Sequence, residues 1–177
     1  MTLDERIFCY RWFSEFCRGT FPQTLEKTWP VVSQALELSG NDFVLDTALR
    51  EQWAIVFFGV GEHTVSLTES AWTHPLGWQN QEPALHAHQS YLLAGVEPKG
   101  DDDHLFDDHL SVLLGFMGWA LQKDHDASAF FDKHFGPWIS VAVQYINTQC
   151  HHASAQLGFE ALLRFLALEK ALYSSQP

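Results

Sequence analysis

Apolar residues recur along this chain at intervals of three and four, the spacing that lays one stripe along a helix. Over residues 3–17 the stripe is Ile7, Phe8, Tyr10, Trp12, Phe13 and Phe16, with Asp4 and Glu5 suited to the first turn and Gly19 to a stop. A second helix is expected from Thr24 towards Gly40, carrying Leu25, Trp29, Val32 and Leu36, with Pro30 kinking it or starting it afresh. A third, capped by Asn41 or Asp42, carries Phe43, Leu45, Leu49, Trp53, Val56 and Phe57 until Gly59 and Gly61 break the pattern. Residues 83–94 predict another helix, with Leu85, Tyr91 and Leu92 inward.

The longest apolar run follows an acidic pair. After Asp107-Asp108-His109 come Leu110, Val112, Leu113, Leu114, Phe116, Met117 and Trp119, which leave almost no polar face, so this helix is expected at the centre of a helical core. Asp107 or Asp108 is its expected N-cap, at an exposed acidic end. Asp126 can cap a short helix with Phe130 and Phe131, and Pro137 fits the start of one with Ile139, Val143 and Ile146. Ser154 opens the last, with Leu157, Ala161, Leu162, Phe165 and Leu168.

Two stretches lack periodicity. Residues 59–81, rich in Gly, Pro, Ser and Thr, read as a long loop whose Trp72 and Trp78 either fold onto the core or form part of a binding surface. Residues 97–106 contain turn formers and repelling charges, which predicts a hinge between an N-terminal helical group, 1–96, and a C-terminal one, 107–177. No strand alternation appears. The expectation is a single all-α domain, a bundle of about eight helices.

Composition narrows function. The chain has 177 residues, 46% hydrophobic and 14% aromatic, enough for one substantial core. No apolar run approaches the ~20 residues that span a bilayer, and the first residues lack a secretory pattern, so no membrane insertion and a cytoplasmic location are expected. Cys9, Cys17 and Cys150 fit neither a disulfide framework nor a thiolate metal site, and read as buried thiols. A net charge of −12, from 22 acidic and 10 basic residues, argues against nucleic acid and favours a cationic partner, although acidity also serves solubility.

Among the candidate chemistries, Asp101, Asp102, Asp103, His104, Asp108 and His109 invite an alternative reading as a small helical metal-dependent hydrolase. The order Asp108-His109 reverses the His-Asp pair of such enzymes, and no His-Glu-x-x-His motif occurs. No phosphate-binding glycine motif is present either, so no catalysis and no cofactor are expected.

Asp108-His109 ahead of Leu-Ser-Val-Leu-Leu-Gly-Phe-Met resembles the signature of the TorD/DmsD/NarJ redox-enzyme maturation chaperones, in which a Glu-Pro-x-Asp-His box opens an apolar helix. Leu105-Phe106 stands where that box has Glu-Pro. Trp53-x-x-Val-Phe-x-Gly with Glu69-Ser70-Ala71-Trp72, and His134-Phe135-Gly136-Pro137-Trp138, are similar to further family segments, and the likeness covers residues 40–173. The resemblance implies a non-enzymatic chaperone that binds the twin-arginine leader and the apo catalytic subunit of a molybdopterin-dependent oxidoreductase. It also implies a monomer or a domain-swapped homodimer exchanging halves across the hinge. A receptor for two arginines and an apolar stretch needs carboxylates beside an apolar groove. Asp107, Asp108 and His109 are the expected polar end, and Trp53, Phe57 and Trp72 the apolar wall.

Overall fold

The computed structural model describes residues 1–38, 42–59, 64–96 and 105–175. Among these residues the chain is all-α, with nine helices: α1 Leu3–Arg18, α2 Thr24–Ala35, α3 Thr47–Phe57, α4 Glu69–Thr73, α5 Glu82–Leu93, α6 Leu110–Gln122, α7 Ser128–His134, α8 Trp138–Gln149 and α9 Ala153–Ser174. The expected hinge, apart from Leu105 and Phe106, lies outside the described residues, as do Asn41, Gly61 and the run from Asp101 to His104.

The central place expected for the apolar run is where α6 stands. None of its residues before Gln122 is exposed. Its largest contact among the described helices is with α1. Small residues make the close approach: a Cβ on Gly118 would meet that of Tyr10 at 3.2 Å, one on Gly115 would lie 3.3 Å from Ser14 Oγ, and the Ser14 hydroxyl donates to the Ser111 carbonyl at 2.7 Å. On α1's other flank Phe16 fills the notch that Gly158 leaves on α9. The two helices are clamped by a buried network in which Arg6 Nε and Nη2 reach the two oxygens of Glu169 at 2.6 and 2.8 Å, and the Tyr10 hydroxyl donates to Glu169 at 2.8 Å.

Helix ends show where local chemistry outweighed periodicity. α1 begins in the expected place, on a Thr2–Glu5 capping box, and ends at Gly19 with φ 76°. Pro30 lies inside α2 without ending it, and α2 stops at Ala35, short of the expected reach towards Gly40. α3 begins not after Asn41 or Asp42 but at Thr47, because the Asp46 carboxylate accepts the Leu49 amide at 2.8 Å. Phe43 is drawn instead into a ring cluster with Trp12 and Trp29, at 5.2 and 5.5 Å, and the Val44 amide is held by Ser154 Oγ.

On α5, Tyr91 is inward as expected, but Leu85 and Leu92 are exposed; Ala84 and Ala87 form the packed face, where small side chains let α5 lie close to α4 and α7. The expected loop over 59–81 contains α4, a single helical turn too short for periodicity to reveal. All three cysteines are free and buried, and burial pushes the Cys9 thiol up to about 12, with Cys17 and Cys150 also raised, which suits inert thiols. No helix among the described residues is long and apolar enough to cross a membrane.

Candidate functional site

Ahead of α4 the chain crosses the start of α6 as a strap. Thr68 bridges antiparallel to His109, the Leu110 amide donates to the Leu67 carbonyl at 2.8 Å, and the Glu69 amide donates to the Asp108 carbonyl at 3.0 Å. The Val65 amide ties the strap to α3 through the Val56 carbonyl at 2.7 Å. Strap, end of α1, end of α3 and approach to α6 enclose a cleft of about 180 Å³. Trp53, Phe57, Phe58, Leu105 and Phe106 supply apolar lining, and Arg18, Gln79 and His109 polar groups.

The six expected site residues divide. Trp53 and Phe57, one turn apart on α3, meet His109, more than fifty residues later, at this cleft. Trp53 is nonetheless a core residue rather than an open wall: it is 1% exposed and stacks parallel to Phe159 at 5.7 Å. Trp72 is outside the cleft lining; its indole donates to the Ser66 carbonyl at 2.8 Å, bracing the strap, and its ring meets Tyr145 edge-on. Asp107 faces α5, where His88 Nδ1 lies 3.0 Å from its carboxylate and the Tyr91 hydroxyl donates to its carbonyl.

Asp108 corrects the sequence reading most sharply. It neither caps α6 nor forms an exposed acidic end, being 0% exposed. Its Oδ2 accepts the Ser70 amide at 2.7 Å and the Ser70 hydroxyl, and Ser70 Oγ in turn accepts the Gln81 amide at 3.0 Å. The carboxylate therefore pins the first turn of α4, and the entry to α5, beneath the start of α6.

The N-cap is His109, whose Nδ1 accepts the Ser111 amide at 3.2 Å. His152 caps α9 in the same way through Ser154, and also reaches Asp46 at 3.1 Å. Burial, and then the charge of Arg18, lower the His109 pKa from 6.5 to about 4, so the ring is neutral near pH 7 and keeps its acceptor. The unfolded chain takes up this proton near 6.5 and the folded one only near 4, so the stability present above 6.5 is lost as pH falls through that window. His109→Asn, which caps without titrating, is expected to flatten the wild-type decline between those values by about 1–3 kcal/mol, discounted for the ring's partial exposure. Urea titrations of both proteins at closely spaced pH values check this; parallel profiles would contradict it.

Composition and spacing did not reveal Glu69 and His134. Both are buried, with Glu69 Oε2 2.7 Å from His134 Nδ1, while the Trp138 indole donates to the His134 carbonyl at 2.9 Å. The available signal was a histidine between Phe131 and Phe135 on an inward face, since a buried imidazole requires a partner. Among the described residues, no group of three or more His, Cys, Asp and Glu could hold a metal ion. Of the hydrolase residues, Asp101, Asp102, Asp103 and His104 lie outside the description, and Asp108 is committed to Ser70.

The family of the nitrate reductase delta subunit matches residues 19–144, well over half of the chain. The chain belongs to this family. The delta family is one of molybdoenzyme maturation chaperones. Its match runs from the end of α1 into α8, so it starts earlier and stops earlier than the resemblance read over 40–173. All three segments that carried the resemblance fall inside it, as does the whole cleft lining except Cys17 and Arg18. No curated protein and no solved structure matches the chain.

Proposed function

We propose that this delta-family protein is a non-catalytic cytoplasmic chaperone. It holds the twin-arginine leader and the apo catalytic subunit of a molybdopterin-dependent oxidoreductase until cofactor insertion is complete. The observation that carries the reading is the meeting of Trp53, Phe57 and His109 at one apolar-lined cleft. The cleft receives the apolar stretch of the leader. Leu105 and Phe106, in place of Glu-Pro, add to its apolar lining, while Asp107, half-buried on the approach to α6, is the carboxylate left to meet a client's arginines. The net charge of −12 favours such a client at longer range.

In this reading Asp108 and Trp72 position the strap and Phe57 touches the client. Phe57 is half-buried and lies beside the more deeply buried Trp53, with ring centres 4.3 Å apart. Calorimetry with the synthetic leader of a cognate molybdoenzyme is expected to show saturable one-to-one binding, weakened about tenfold or more in Phe57→Ala, the cost of one aromatic contact at a buried anchor. Absence of binding to any molybdoenzyme leader would sink the proposal.

A further inference from the structure

A second cleft, of about 580 Å³, opens where α4, the first turn of α5 and the end of α7 meet. Its lining combines two features that need a partner. One is His134, which is 0% exposed: its Nδ1 is engaged by Glu69, while its Nε2 is buried with no hydrogen-bond partner, a condition native proteins avoid for polar atoms. The other is the N-terminus of α5, a helix of 12 residues whose start no side chain caps, so the positive end of its dipole is at the cleft through Gln81, Glu82 and Pro83.

The lining offers an anion several hydrogen-bond donors despite the acidity of the whole chain. His74, His86, Lys133 and His134 face Glu69 and Glu82. Glu69 is committed to His134, and Glu82 lies 3.6 Å from His86. Lys133 is exposed at the rim. We propose that this cleft binds an oxyanion, a carboxylate or phosphate group of a small ligand, received by His134 Nε2 together with Lys133 and the start of α5. With Nδ1 facing Glu69, donation from Nε2 to the anion makes both ring nitrogens hydrogen-bonding partners. Glu69 then stands behind the ring as the group that orients it.

The test is a titration of uniformly nitrogen-15-labelled protein with sodium phosphate and, separately, sodium acetate, at ionic strength held constant with sodium chloride. The imidazole resonances are followed by NMR, and that of His134 is assigned by its loss in His134→Gln. The expected result is a saturating shift of the His134 Nε2 signal, with the midpoint moved about fivefold higher in Lys133→Ala, the effect of one nearby screened charge. The stronger of the two probes distinguishes phosphate from carboxylate as the source. Lys133 is exposed, so its variant keeps the test valid if His134→Gln fails to fold; the signal is then the one that saturates in wild type. A shift that stays linear with either probe, or a saturating shift unchanged in Lys133→Ala, would overturn the proposal.

Discussion

Glu169→Ala is expected to destabilise the chain by about 3–5 kcal/mol, the usual loss when one member of a buried ion pair is removed. The carboxylate is fully buried and takes three hydrogen bonds, two from Arg6 and one from the Tyr10 hydroxyl. Alanine would leave a largely buried guanidinium and a buried hydroxyl without their acceptor, between the first helix and the last. The hydrogen bonds to Glu169 raise the Arg6 pKa further above its ordinary value, so arginine cannot escape the loss by giving up its proton. A double variant, Arg6→Met with Glu169→Leu, should regain most of the lost stability, because replacing both charges by apolar groups removes the desolvation cost along with the attraction. Urea denaturation of the three proteins tests both statements. A loss below about 1 kcal/mol in Glu169→Ala would mean that the clamp is open in solution.

Trp53→Ala should cost about 3–5 kcal/mol, the range for deleting a large aromatic from a packed core. The indole meets Phe21 at 4.7 Å, Phe16 at 5.1 Å, Phe57 at 4.3 Å and Phe159 at 5.7 Å, so its removal opens a cavity shared by α1, α3 and α9. It also underlies Gly19: the left-handed backbone there, with Trp53 occupying the space a Cβ would need, leaves glycine as the fitting residue. Thermal melts should show Trp53→Ala far less stable than Phe57→Ala. Equal melting temperatures would contradict the placement of Trp53 in the core. Loss of client binding in Trp53→Ala alone is therefore weak evidence of contact, and Phe57 is the better probe.

These cases show what the sequence made legible. Helical periodicity placed α1, α6 and α9 well, since long stripes average over single residues, although Leu168, expected on the α9 stripe, is exposed and Glu169 beside it is buried instead. It misplaced the start of α3 because Phe43 and Leu45 continue the apolar rhythm although Asp46 is the cap. It turned Leu85 and Leu92 inward because an apolar count cannot weigh two alanines that allow closer packing. The Asp-His pair was recognisable as a signature, but not its division of labour: Asp108 satisfies the Ser70 amide, 38 residues earlier in the chain, and His109 takes the cap. The Glu69–His134 pair, separated by 65 residues, required the packing of α4 against the C-terminal helices to be seen. Trp53, Phe57 and His109 could be named from motifs, and their meeting at one cleft is a property of the strap.

The most direct test of the central claim is to locate the leader on the protein. A synthetic molybdoenzyme leader with a photoreactive leucine in its apolar stretch, bound to the purified chain and cross-linked by light, can be mapped by mass spectrometry. Cross-links are predicted at Phe57, Phe58, Leu105 and Phe106, the lining of the strap cleft. Cross-links confined to the exposed apolar residues Leu85, Leu92 and Leu93 on α5 would contradict it and move the client to another face of the molecule.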